Sequence, residues 1–179
     1  MTLLDDFVER IRADQGLINE VPGFDPRNGN EDAKYLLLLE APGPKALETK
    51  IVSFDNPDQT AANLKSQLDE AGIDRSEIVI WNVVPWYLGN NDLTKIRAAQ
   101  SSDVMVCLAY LGDLVQMLKK LRCIVLVGSA ARKAHVYLSH ATNVRILSCH
   151  HPSPRVKFFS PNTVKENVAV FKAMAHVSE

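Results

Sequence analysis

Four short apolar runs constrain this chain more than any other feature. They are Tyr35-Leu36-Leu37-Leu38-Leu39, Ile78-Val79-Ile80-Trp81, Cys123-Ile124-Val125-Leu126-Val127 and Val144-Arg145-Ile146-Leu147-Ser148. Each stops at a polar residue or a turn. Runs this short, with little polar alternation, fit strands covered on both faces, as in parallel sheets. The segments between them have helical spacing. Leu4, Phe7, Val8 and Ile11 recur behind Thr2-Leu3-Leu4-Asp5, an acidic variant of the capping box. Pro57-Asp58 opens a helix along Ala61, Leu64, Leu68 and Ala71, and Gly72 stands where a C′ residue belongs. Residues 94–121 are helical in pattern, with a candidate break at Ser101-Ser102. Ser129 is positioned to cap a helix through Leu138, and residues 162–175 form the last helix. The stretch 21–30, dense in Pro, Gly and Asn, reads as a loop. So does Ala41-Pro42-Gly43-Pro44, whose two prolines are expected to end any regular element.

This strand–helix alternation predicts an α/β fold: one domain over residues 1–179, a three-layer α/β/α sandwich around a four-stranded parallel sheet. The expected strand order is 2-1-3-4, with the first strand in the middle and all four buried. A chain of 179 residues is about one domain and long enough for a core without disulfides or metal. Ligands of open α/β sheets bind outside the carboxyl ends of the strands, where the order reverses.

Composition narrows the partners. Twenty basic and 21 acidic side chains give a net charge of -1. No global basic field therefore exists, and any nucleic-acid contact must come from a local patch and from backbone amides. Cys107, Cys123 and Cys149 are odd in number, widely spaced and without a C-x-x-C pair. They read as buried free thiols, with neither a disulfide framework nor a closed zinc site. Met1-Thr2-Leu3-Leu4-Asp5-Asp6 lacks the basic and apolar regions of a signal peptide, and no apolar stretch approaches a bilayer span. A reducing cytoplasm, no membrane partner and a monomer are the expectations.

The polar residues that stop the runs sit at equivalent places. Glu40 follows the first run, Asn82 the second, Gly128 the third, and His150 and His151 the fourth. A parallel sheet would gather all of them in one crevice. Taken singly, each has an ordinary reading: a solvated turn carboxylate, an Asx-turn, a structural histidine. The shared topological position favours the joint reading. Cys149, His150 and His151 do not suggest a metal site, because neighbours in extended chain point to opposite faces.

Leu39-Glu40-Ala41-Pro42-Gly43 resembles the first motif of the bacterial and archaeal uracil-DNA glycosylases that carry an iron–sulfur cluster. Residues 71–86, ending Trp81-Asn82-Val83-Val84-Pro85-Trp86, are similar to the segment that brings in that group's base-reading Asn. Ile124-Val125-Leu126-Val127-Gly128-Ser129-Ala130-Ala131 is similar to its third-strand segment. His151-Pro152-Ser153-Pro154 resembles its second signature motif. The four likenesses occur in the family's order across roughly residues 35–155.

The resemblance implies an enzyme that cuts the N-glycosidic bond of uracil or another deaminated base in DNA, with no cofactor beyond the family's cluster. It implies catalytic roles for Glu40 and His151. Ala41, Pro42, Gly43, Asn82 and Phe54 would surround the flipped base, with Phe54 stacking on it. Ser153, Pro154, Arg155, Lys157 and Arg132 would contact DNA, and Lys133 would add local charge. Four departures stand out. The cysteines do not match the cluster ligands, so neither cluster nor metal is expected. Ala41 occupies the place of another branch's catalytic Asp. Gly43 replaces a Tyr that blocks thymine. Arg155 replaces an apolar wedge. The alternatives are a weak or inactive binding module that retains the pocket, and an enzyme of free nucleotides or RNA.

Overall fold

A computed structural model of the chain describes residues 2–17, 20–89, 92–155 and 160–176. The helix ends follow local chemistry. Thr2 Oγ1 accepts from Asp5 N at 3.1 Å while the Asp5 carboxylate accepts from Thr2 N at 2.8 Å. This reciprocal box starts α1 (Leu3–Gln15), and Gly16 closes it at φ 66°. Asp58 caps α3 (Gln59–Ala71) by accepting from Ala61 N, and Gly72 ends it in the left-handed region. Ser160 caps α7 (Pro161–Ala175).

The main sheet holds β2 (Tyr35–Leu39), β4 (Ile78–Asn82), β5 (Cys123–Val127) and β6 (Arg145–Cys149). Its order is β4-β2-β5-β6 and every pair is parallel. Leu39 lies opposite Asn82, Leu38 opposite Leu126, and Val127 opposite Cys149. α3 packs on α7, and α1 on α4. One apolar cluster runs from Leu4 to Met174 and takes in Leu36, Leu37 and Leu38.

The expectation that all four main strands are buried fails at β6, where Arg145 and Ser148 are exposed. This strand has a neighbour on one side only. β4, the opposite edge, is buried throughout because other elements cover it. Phe24 stacks on Trp81 with ring centroids 4.1 Å apart, and Phe7 meets the same ring edge-on at 5.9 Å. Phe24 belongs to a second sheet that sequence pattern does not reveal. It pairs β1 (Gly23–Phe24) with β3 (Ile51–Val52) in parallel. Two residues per strand are too few to show a period.

Three further expectations are corrected. Pro44 does not end regular structure; it opens α2 (Pro44–Thr49), since the first turn has no use for its missing N–H. α4 spans Ser101–Met117 rather than 94–121. Ahead of it, Asp92 Oδ1 captures Thr94 N and Oγ1, and Arg97 bonds both Asp103 oxygens. The helix expected from Ser129 to Leu138 is two, α5 (Gly128–Arg132) and α6 (His135–Ala141), and Ser129 lies inside α5 instead of capping it.

Candidate functional site

The strand ends converge as the register requires. Beyond the β2–β4 ladder, Val83 N donates to Leu39 O and Val84 N to Glu40 O, which keeps Glu40 beside the turn after Asn82. Gly128 follows β5 with φ 88°. A Cβ there would stand 2.9 Å from His151 Cβ and 3.2 Å from His151 Cδ2. Glycine is thus needed for two reasons: the left-handed backbone and the histidine lying against it. Glu40, Asn82, Gly128 and His151 therefore share one end of the sheet.

Asn82 is 3% exposed, yet its side chain hydrogen-bonds to no other described residue. Buried amides are nearly always paired. The fully enclosed, unpaired side-chain atoms among the described residues are Glu31 Oε2 and Trp81 Nε1. The Asn82 amide atoms therefore keep a narrow opening. Such an amide is poised to pair with something that enters.

His151 Nδ1 accepts from Ser153 N at 3.2 Å. With Nδ1 acting as acceptor, the neutral ring carries its proton on Nε2. Burial pushes the imidazole pKa down, against the opposing pull of Glu40 and Asp58. The ring is then a neutral Nε2–H donor. Ser153 Oγ in turn accepts from Arg155 N at 3.2 Å, which tightens the loop. His150 goes elsewhere: its Nε2 lies 2.8 Å from Glu166 Oε2 on α7.

Glu40 is half-buried, and its Oε1 accepts from Ala99 N at 2.6 Å. Ala99 O accepts from Lys133 Nζ at 2.8 Å. One carboxylate oxygen is thus occupied in pinning the segment before α4. Pro42 is buried, Ala41 and Gly43 are half-buried, and Gly43 is the N-cap of α2. Phe54 is buried in the core with the Arg75 guanidinium carbon 4.5 Å and Lys65 Nζ 5.9 Å from its ring centroid. Arg132 Nη2 donates to Cys149 O at 3.1 Å and so braces the end of β6. Pro154 and Arg155 are exposed next to the His151 loop. Lys157, a predicted DNA contact, lies outside the described residues.

Sequence reading missed the residues that hold this loop. Asn63 Nδ2 donates to Pro152 O at 2.7 Å, and Asn167 bonds both polar backbone atoms of His150. The signal was present for Asn167. It falls in the buried stripe Thr163, Asn167, Phe171, Met174 of α7, where an amide needs a reason.

An iron–sulfur cluster does not fit these residues. Cys107, Cys123 and Cys149 are free and buried in α4, β5 and β6. Burial pushes their thiol pKa values up to about 12, 11 and 12 respectively, away from the thiolate a ligand must be. Among the described residues, no group of three His, Cys, Asp or Glu is placed to hold a metal ion. No helix among them is long and apolar enough to cross a membrane.

Comparison with known proteins agrees with the motif order. The family model of the uracil DNA glycosylase superfamily matches residues 26–175. No curated protein matches the chain. A solved structure with the same fold is the solution NMR structure of a Methanosarcina acetivorans protein provisionally assigned as a uracil DNA glycosylase. It is 17% identical, with a TM-score of 0.59, over 87% of this chain and 98% of that one. At that identity the likeness shows the fold alone. The family match spans most of the sequence, and on it this chain belongs to the uracil DNA glycosylase superfamily.

Proposed function

We propose that the protein hydrolyses the N-glycosidic bond of uracil or another deaminated base in DNA. The observation that carries this reading is the presence at one sheet end of a neutral His151 Nε2–H donor and of Asn82, a buried amide without a side-chain partner among the described residues. A base inside a duplex must first be flipped into the pocket. As the bond to C1′ breaks, negative charge collects on the base and positive charge on the sugar. His151 donates to the base O2, where that charge gathers, and a fixed neutral donor stabilises it without reorganisation. Asn82 accepts from uracil N3–H and donates to O4. Cytosine presents both groups reversed, which leaves mispaired buried atoms at a cost of roughly 1–3 kcal/mol each. The free oxygen of Glu40 faces the role of offsetting sugar charge or orienting water. In this reading the chain acts as one domain and one copy on DNA.

The bond from Ala99 N to Glu40, together with Ala41 in place of an acid, supports a second reading: a pocket that binds a base without cleaving it. One assay separates the two. Oligonucleotides carrying uracil, hypoxanthine or xanthine are incubated with excess enzyme and scored for abasic sites. Release of at least one base is expected, reduced by about 100-fold in His151→Ala, with base preference altered in Asn82→Asp. No abasic product from any substrate, alongside saturable binding, would select the binding module.

A further inference from the structure

The loop carrying His151 is held on both sides by amide side chains that the chemistry above does not use. Before it, Asn167 Oδ1 accepts from His150 N at 2.8 Å and Asn167 Nδ2 donates to His150 O at 3.0 Å. After it, Asn63 Nδ2 donates to Pro152 O at 2.7 Å. Asn167 Nδ2 also donates to Gln67 Oε1 at 2.9 Å. Asn63 and Gln67 stand one turn apart on α3, on the same side. Gln67 and Asn167 are each 2% exposed and fall in the buried stripes of α3 and α7 that also hold Leu64, Leu68, Val168 and Phe171.

Amides at interior positions of two packed helices need a reason, because apolar side chains would fill the same space without a desolvation cost. The β5–β6 ladder ends at Cys149, so the next peptide has no strand partner. Asn167 supplies one. The chain then enters His151-Pro152, where proline offers no N–H and its carbonyl is the sole backbone handle. Asn63 takes that handle. With Gly128 beneath the ring, the backbone at His151 is fixed from before, after and below.

We infer that Asn63, Gln67 and Asn167 form a positioning relay, by which α3 and α7 set the direction of the His151 Nε2–H. The inference rests on the donor role proposed for His151. These residues touch neither base nor sugar. Their effect is on the loop that keeps Ser153 N against His151 Nδ1.

Long-range proton–nitrogen spectra of the histidine rings test this on the full chain without DNA, using Asn63→Ala and Gln67→Leu. Glu40 and Asp58, the charged groups acting on His151, stay unaltered. The wild-type ring is expected as the Nε2–H tautomer with a pKa below about 6.5. In both variants the Nδ1–H tautomer gains population and the pKa rises toward that ordinary value. On a substrate of the wild type, kcat falls about tenfold with KM within about twofold, as displacement of one catalytic group should do. Variants that melt cooperatively yet keep the wild-type tautomer, pKa and kcat would reduce the amides to scaffold and overturn the relay. The ring readout needs no turnover. A wild type that releases no base refutes the glycosylase reading, while the spectra alone still decide the relay.

Discussion

At His151, three contacts decide which proton the ring carries and whether it gains a second. The Ser153 N–H occupies Nδ1, Gly128 admits the ring against the end of β5, and burial disfavours the cation. The sign of the pH effect follows. The folded-state pKa lies below the unfolded value of about 6.5, so between the two the unfolded chain binds the extra proton. Stability and the neutral donor are complete above that value and are lost as pH falls through the folded pKa. Glu40 and Asp58 pull the other way and keep the shift from being larger. The pH profile of kcat/KM is expected to be level above about pH 6.5 and to fall on the acid side, with its midpoint below the ordinary imidazole value. A profile that improves on acidification would make the imidazolium the active form and refute the neutral donor. This residue was legible in the sequence because its motif follows a short apolar run that forms a strand. Its tautomer was not, because that depends on where the Ser153 amide points.

The small β1–β3 sheet shows how an element can be hidden from sequence and still be tied firmly into the fold. Each strand ends in a loop, and the two loops meet at Asp25, which is 2% exposed. Asp25 accepts from Arg27, from Ser53 Oγ at 2.5 Å and from Arg75 Nη2 at 3.2 Å. Burial alone would raise its pKa, but bonds from Arg27 and Ser53 more than offset this and hold it low. Asp55 accepts from Lys65 at 2.6 Å and Arg75 at 2.9 Å, which keep its carboxyl at about 2. Arg75 thus joins the turn before β4 to the loop that carries Phe54, and its guanidinium covers that ring. Arg75→Met keeps the length of the side chain and removes the charge. Leaving the buried carboxylate short of a partner should cost about 2–4 kcal/mol in denaturant unfolding, with an unchanged m-value. A loss under about 0.5 kcal/mol would show that water replaces the arginine at no cost. Asp25 and Arg75 are 50 residues apart and carry no periodic pattern, so nothing in the sequence pairs them. The four main strands stood out as continuous apolar runs, and their ends located Glu40, Asn82 and His151. Phe54 was assigned to the base by loop position; the same loop position also permits the core contact seen with Arg75.

For the whole molecule, the net charge of -1 sets how DNA would be held under the proposed function. Two of the cations expected near the cleft already serve the fold: Arg132 donates to Cys149 O and Lys133 to Ala99 O. Arg155 is exposed beside the His151 loop. With about two or three phosphates neutralised at the cleft, each contributes about -0.9 to the slope of log affinity against log salt. Binding to a uracil-containing duplex should therefore weaken by roughly 12- to 40-fold between about 50 and 200 mM salt, far less than for a protein making six to ten phosphate contacts. Fluorescence anisotropy across that range, with His151→Ala used to prevent turnover, gives the slope directly. A slope steeper than about -6 would require a broad basic surface that this composition does not provide. With a shallow slope, most of the affinity must come from the pocket. A duplex with cytosine in place of uracil should then bind more weakly by a factor that is nearly the same at every salt concentration, because the Asn82 contacts that differ between the two bases release no counterions.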